Sequence, residues 1–417
     1  MKIMGWGSRT TSCCACSLVA LLLLAHAPKS WVRWIATAQD TALGMASMDQ
    51  KAGVRFASYS FPPADTEALR VVLKAADGVY VTPESGTGDR SSKAWPATVL
   101  MTIFNQAYGD MFFNWACHVR RVGPQRLKYV AWAQDRLAAQ MLTGQADGLA
   151  ADGGAHFFFS AHMADQLGSV LYATRFRSNG FNRLTNFKLV AVRLILEAGY
   201  AVCLADVDVI LLADPWPTFQ GAAKCDYEYA PNRGCADSQS DLDLDAYREG
   251  NTGFHLLQPR PAVLEVLRHT LARAERDQAT DDQTLMWSHI HALHRNGKAV
   301  HHAAQGRAAD RSPASAPQNR TRAPLSYCSL PRNAHKVGGC FTTAAEVRGL
   351  VTAHANFVST ANRKVDKMRR VGLWALTDET AVCVQPAGGV IGWVEWLWGL
   401  AFYRPARVAY LPPGRQR

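Results

Sequence analysis

The residues best placed to do chemistry lie in one short run, Ala201–Pro215, AVCLADVDVILLADP. Asp206 and Asp208 stand one residue apart in it. In an extended chain, side chains alternate faces, so residues i and i+2 point the same way. Both carboxylates are therefore expected to project from one side of a strand end, with Val207 and Val209 on the opposite, apolar side. Two neighbouring carboxylates repel, which raises one pKa unless a cation lies between them. A hard divalent ion with oxygen ligands meets that need. Such an ion can also bridge two phosphates and neutralise a departing nucleotide diphosphate. A bare Asp-x-Asp is common, and alone it reads equally as a solvated strand end or a turn. Its setting adds weight, because it follows an apolar run and precedes the turn dipeptide Asp214-Pro215.

The elements that must position these carboxylates read as alternating helices and strands. Phe187–Ala198 is an apolar-rich helix with Gly199 at the expected C-cap, and Tyr200–Ala205 follows as a buried strand. Upstream, Thr66–Ala76 has helical spacing, Thr98–Phe104 reads as a strand, and Tyr108 to about Val122 as a helix. Lys128–Ala133 reads as a strand, Ala138–Leu142 as helix, and His156–Ser160 as a short strand. This alternation predicts an α/β fold with a mostly parallel, Rossmann-type sheet and helices on both faces. In such sheets ligands bind at the carboxyl ends of the strands.

The apolar fraction of 48% and charged fraction of 19% describe a globular chain with a substantial core. No repeat of 20–50 residues is present, which argues against a solenoid or propeller. The formal charge of +11 fits either a basic surface or an anionic partner such as a nucleotide diphosphate. No zinc-finger spacing, RNP pattern or basic heptad helix supports nucleic-acid binding. Lys2 and Arg9 precede the apolar run Cys13–Ala25. As a helix that run is about 20 Å long, short of the roughly 30 Å hydrocarbon core. Ala25-His26-Ala27 resembles a cleavage site. A cleaved signal peptide over 1–27 and a short signal anchor both remain open, and either sends the chain into the secretory pathway. Residues 28–65 read as a stem, 66–417 as the catalytic domain, 84–95 as a polar insertion, and 303–326 as a low-complexity, disordered insertion.

Of the ten cysteines, Cys13, Cys14 and Cys16 lie in the apolar run. The remaining seven are an odd number, so at least one stays free or pairs between chains. Cys203, in an apolar run, reads as a buried small hydrophobe. Cys225 with Cys235, and Cys328 with Cys340, are the expected local disulfides. Asn319-Arg320-Thr321 is a glycosylation sequon, consistent with a lumenal location. The aromatic run Gly392–Tyr403 is too short to span a bilayer and reads as a packed C-terminal helix, with a membrane-surface segment as the other reading.

Haloacid-dehalogenase-like phosphatases also use Asp-x-Asp, and Asp281-Asp282 could mimic their later acidic pair. Their motif continues with Thr or Gly, whereas here Val209-Ile210-Leu211-Leu212 follows. A different resemblance covers more of the chain. DVDVILLADP, then Asn251-Thr252-Gly253-Phe254, Asp282-Gln283 and His354-Ala355-Asn356-Phe357 follow the order of the nucleotide-diphospho-sugar transferase domain of glycosyltransferase family 77. That family includes plant and algal cell-wall arabinosyl-, xylosyl- and galactosyltransferases. Asn105-Gln106-Ala107-Tyr108 with Asn114-Trp115, and Lys188 ahead of LILEAGY, are similar to its opening elements. The resemblance spans roughly residues 66–375.

The resemblance implies a GT-A-like fold, a UDP-sugar donor, Mn2+ or another divalent metal, and retention of anomeric configuration. It implies a glycoprotein or polysaccharide acceptor and a Golgi lumenal, type II membrane enzyme held by its N-terminal segment; a secreted or lumenal form after signal cleavage is the alternative. Carried over residue by residue, Asp206, Asp208 and His354 would hold the metal, His354 through a neutral ring nitrogen. Lys364 and Lys367 would clamp the diphosphate. Asn251 and Thr252 would hydrogen-bond the donor sugar or acceptor, and Asp282 and Gln283 would lie beside the anomeric carbon. Asn105 and Asp135 would contact the nucleoside, and Lys188 would reach the donor. Each has a plainer reading: a packing histidine, solvated lysines, turn residues, or for Asp282 the N-cap of a helix over Gln283–Ile290. A non-catalytic carbohydrate-binding or scaffold protein keeping the fold is the competing function.

Overall fold

The computed structural model describes residues 55–77, 97–123, 127–144, 154–168, 177–219, 224–232, 235, 250–302, 323–358, 360–377 and 383. The expectations for the N-terminal targeting run, the insertion at 84–95, Asn319 and Gly392–Tyr403 lie outside these residues. Among the described residues, no helix is long and apolar enough to cross a membrane.

The strands are β1 (Thr98–Phe104), β2 (Tyr129–Ala133), β3 (Ala155–Phe159), β4 (Ala201–Ala205), β5 (Val209–Leu211), β6 (Tyr227–Pro231), β7 (Gly250–Leu257), β8 (Ala299–His302), β9 (Leu325–Ser329), β10 (His335–Val337) and β11 (Thr352–His354). The α-helices are α1 (Pro63–Ala76), α2 (Gly109–Val122), α3 (Arg136–Gly144), α4 (Ala161–Leu167), α5 (Asn179–Glu197), α6 (Pro261–Arg276), α7 (Asp282–Arg295), α8 (Ala344–Val347) and α9 (Ala361–Arg370). Eight strands form one sheet in the order β3-β2-β1-β4-β7-β6-β9-β8, and β10-β11-β5 form a second. In the large sheet only β7 runs against its neighbours β4 and β6. The α/β, mostly parallel sheet read from the sequence is the one observed.

β1 shows why such strands read as continuous apolar runs: every residue of TVLMTIF is buried, because helices cover both faces. Leu100 and Phe104 join the core under α2, while Val99, Met101 and Ile103 join the core under α1, α5, α6 and α7. This is the period-2 alternation of a strand.

Three local expectations change. α5 begins at Asn179, eight residues before the expected start, because the Ser178 hydroxyl accepts a hydrogen bond from the Phe181 amide at 3.2 Å and outweighs weak helix formers such as Gly180. The stretch read as the end of a stem packs on the domain: Phe56 is 2% exposed, and the Arg193 guanidinium donates to the carbonyls of Ala57 and Tyr59. Leu325 and Ser326, read as the end of an insertion, belong to β9, where Leu325 is buried.

The expected local disulfides do not form. The bonds are Cys117–Cys383, Cys225–Cys328 and Cys235–Cys340. The parallel pairing of β6 with β9, Tyr227 beside Tyr327, brings Cys225 next to Cys328 across 103 residues of chain. Among the described residues Cys203 is the buried free thiol, as its apolar run implied.

Candidate functional site

The Asp-x-Asp segment is a turn rather than a continued strand. β4 ends at Ala205, the Asp206 carbonyl accepts from the Val209 amide at 2.8 Å, and the chain leaves the large sheet to enter the small one as β5. The carboxylates converge through this turn, not through the strand alternation expected from the sequence. Val209 is fully buried and Val207 nearly so, in agreement with their expected apolar side.

Antiparallel pairing carries the start of β7 to the end of β4. Ala205 lies opposite Phe254, and the Asp206 amide donates to the Gly253 carbonyl at 2.7 Å. The β6–β7 register shifts between Tyr229 and Ala230, so Thr252 and Gly253 fall in a bulge, a device that re-aims side chains next to sites. Gly253 is required there. A Cβ on it would lie 2.6 Å from His354 Cε1 and 2.9 Å from Asp206 Oδ2.

Lys188 is the buried floor of the site. It reaches Asp206 at 3.2 and 3.3 Å, the Thr252 carbonyl at 3.3 Å, and Asp282 Oδ2 at 3.2 Å. Burial alone would lower its pKa, but the Asp206 and Asp282 charges raise it above the ordinary lysine value. Asp282 is the first residue of α7, whose N-cap is Asp281 and not Asp282. Asp282 also accepts from the Thr252 hydroxyl at 3.1 Å, and Gln283 Oε1 accepts from the Thr252 amide at 3.3 Å. Asn251 Oδ1 accepts from the Gly253 amide at 2.6 Å, while its Nδ2 donates to Asn232 at 3.0 Å.

The other wall comes from the C-terminal part of the chain. β11 runs antiparallel to β5 with His354 opposite Val209, which sets His354 beside Asp208. His354 Nε2 is 3.3 Å from Asp208 Oδ1, and Lys364 Nζ, on α9, is 2.5 Å from Asp208 Oδ2. Burial pushes Asp208 up, but Lys364 and His354 hold its carboxyl well below the usual carboxylate range. Asp206 moves upward, through burial first and then the nearby Asp208 and Asp282 charges, against the pull of Lys188. One ligand atom from each of Asp206, Asp208 and His354 lies within 4.8 Å of the other two. Two carboxylates and an imidazole suit a divalent first-row ion, so the residues present fit a metal.

These groups line a cavity of about 630 Å³. It gathers Asp206, Asp208, Lys188, Asn251, Thr252, Asp282, Gln283, His354 and Lys364 from the expected set. Three expected residues are used elsewhere. Lys367 donates to the Gly338 carbonyl and sits 4.5 Å over the Phe341 ring. Asp135 caps α3, accepting from the amides of Ala138 at 2.7 Å and Gln106 at 2.9 Å. Asn105 is buried before the short helix Gln106–Tyr108 and does not line the cavity. Sequence reasoning missed Tyr108, Gln134, Arg177, Asn232 and Phe357, which do line it. Tyr108 and Phe357 stood within quoted motifs; the others carried no local signal.

Residues 153–368 match the family model described as nucleotide-diphospho-sugar transferase, more than half of the 417 residues. The chain belongs to this family. A stretch of 195 residues is 25% identical to the β-arabinofuranosyltransferase RAY1 of Arabidopsis thaliana, covering 45% of this chain and 33% of that protein. The match thus spans about a third of that relative's length. Solved structures with a similar arrangement include the glycosyltransferase GlyE of Streptococcus pneumoniae TIGR4 (TM-score 0.37, 13% identity, 73% of this chain and 65% of that one). Another is the galactosyltransferase LgtC in complex with donor and acceptor sugar analogs (TM-score 0.39, 11% identity, 68% of this chain and 98% of that one).

Proposed function

We propose that this transferase is metal-dependent, takes a UDP-sugar, and retains the anomeric configuration while glycosylating a glycoprotein or cell-wall polysaccharide. The observation that carries the reading is the convergence of Asp206, Asp208 and His354 in the same cavity as Lys364. Asp206, Asp208 and His354 would hold the ion, with Mn2+ suited to the two oxygen ligands and the imidazole. When bound, the metal supplies positive charge to the leaving diphosphate.

The chain's own groups do the rest. Lys364 brings a second cation to the phosphate end of the cavity, where leaving-group charge grows as the sugar–phosphate bond breaks. Asp282 is tied to Lys188 and the Thr252 hydroxyl. It therefore acts as a fixed acceptor for a sugar hydroxyl and orients the ring. Asn251 and Gln283, each held by the β7 backbone, line the same region. The acceptor hydroxyl attacks from the face the diphosphate leaves, which needs no covalent nucleophile.

The three disulfides support work in an oxidising compartment, and the basic-then-apolar N-terminus supports the Golgi lumen as the place. Loss of a mobility shift in Asn319→Gln, expressed through the secretory pathway, checks that placement. The chemistry is tested by nucleotide release from UDP-linked arabinose, galactose and xylose, with and without Mn2+. Metal-dependent release with a product of retained configuration by NMR is expected. Full rates in excess chelator, or an inverted product, would overturn the corresponding part of the reading.

A further inference from the structure

Among the described residues, two that are not glycine have a positive φ: Arg177 at 63° and Phe357 at 58°. Both line the same cavity. Left-handed backbone is unfavourable for residues with a Cβ, and such positions cluster where function needs them. Phe357 carries a second anomaly. It is one of two large hydrophobic side chains left exposed among the described residues, at 57%. The other, Val71, lies on α1 and does not line the cavity.

The two residues between His354 and Phe357 hold Phe357 in this posture. The Ala355 amide donates to the Asp208 carbonyl at 2.8 Å, and Asn356 Oδ1 accepts from the Gly338 amide at 2.6 Å. Gly338 packs so closely that a Cβ there would lie 2.0 Å from the Asn356 carbonyl oxygen. The segment is thus pinned up to Asn356, and the aromatic ring is presented to solvent three residues past His354. An exposed aromatic on a strained, pinned backbone at a cavity rim has the character of a binding anchor.

We propose that the Phe357 ring is the stacking platform for the acceptor saccharide. The inference rests on the transferase reading above and extends it to the second substrate. The diphosphate of the donor must reach the deep wall, where the side chains of Asp208 and His354 are 6% and 9% exposed. The donor therefore takes the deep part, and the acceptor meets the residues that stay at the surface. A sugar ring presents C–H groups on its face and hydroxyls at its edge. The phenyl ring covers the face, and the Arg177 guanidinium, donating to Asp281 at 2.9 Å and to the Thr284 hydroxyl at 3.4 Å, lines the same cavity.

The test compares the full chain with Phe357→Ala, Phe357→Asn and Phe357→Trp. The probes are methyl glycosides of arabinose, galactose and xylose as acceptors, and UDP with Mn2+ for the donor side. For Ala and Asn, the acceptor KM is expected to rise about tenfold more than the UDP Kd, the size of one stacking contact. Phe357→Trp keeps the acceptor KM within about twofold, since it preserves an aromatic face. Phe357→Asn melts no lower than wild type, because Asn tolerates the left-handed conformation; it separates loss of the ring from loss of fold. A matching loss of UDP affinity would assign the ring to the nucleotide and overturn the proposal. So would an unchanged acceptor KM, or a wild-type protein that hydrolyses donor yet responds to no saccharide. Absence of both UDP binding and donor turnover in the wild type would instead remove the transferase reading, and this inference with it.

Discussion

Lys188 and Lys364 bring the same charge to neighbouring carboxylates from two different kinds of structure. Lys188 comes from the middle of α5, its side chain is 5% exposed, and it serves Asp206, Asp282 and the Thr252 carbonyl together. Lys364 comes from the ten-residue α9, is 22% exposed, and pairs with Asp208. Burial lowers the proton affinity of both lysines, and in both the carboxylates more than reverse it. The carboxylates answer differently, Asp208 shifting down and Asp206 up. The floor of the site is a closed polar network, whereas the α9 side is a cation arm with access to water. The first is expected to govern folding and geometry, the second affinity for the diphosphate.

The strongest test removes the carboxylate that Lys364 and His354 share. Asp208→Asn should lower metal-dependent nucleotide release by about 10³-fold or more, with a folded protein by circular dichroism. Retention of most of the activity would dissolve the comparison. Lys188→Met should act on the fold, because it leaves Asp206 and Asp282 without their buried partner. A loss of about 3–5 kcal/mol is expected, read by urea denaturation. A loss near zero would mean the floor is not a network.

Gly253→Ala addresses the geometry between the regions. The added methyl crowds His354 and Asp206, so Mn2+ affinity should weaken by about 10–100-fold while the melting temperature moves little. Lys364→Met should raise the Kd for UDP by about tenfold, again with small effect on melting; titration calorimetry measures both constants. A collapse of stability there would make Lys364 another floor residue.

The smallest effect is one of pH. The folded-state pKa of Lys364 is raised above its ordinary 10.5. Its contribution is therefore fully present below that value and is lost as pH climbs through the higher folded value. Any melting-temperature gap between wild type and Lys364→Met should persist at neutral pH and close above about pH 10.5. A gap that closes below pH 8 would refute the assignment.

Much of this was legible locally. The apolar runs of β1, β2 and β4 announced buried strands, and the Asp-x-Asp after β4 announced an anionic site at a strand end. The amphipathic spacing of α1 and α2 gave their extent within a few residues. The family positions at the ends of β4, β7 and β11 meet in one cavity with those at the start of α7, and for the three strands backbone pairing dictates who meets whom. Asp135 and Lys367 lie outside that cavity, because a carboxylate before a helix is also an N-cap and a lysine beside an aromatic ring has its own partners. Arg177, Gln134 and Asn232 had no local pattern to betray them, since a cavity wall is assembled from segments far apart in the chain.

The chain's own order of residues determined that helices and strands alternate, that Cys203 is buried, and that Asp206 and Asp208 follow a buried strand. These are consequences of nearest-neighbour sterics and of hydrophobic period, which act over a few residues. Tertiary structure alone decided that Cys235 bonds to Cys340 across 105 residues and not to Cys225, and that Asp206 and Asp208 converge in a turn between two sheets. It also decided that His354 stands beside Asp208, through the antiparallel β5–β11 pairing, and that Phe357 is left exposed. Each depends on which strands pair and in what register, and that choice is made by burying the whole core at once.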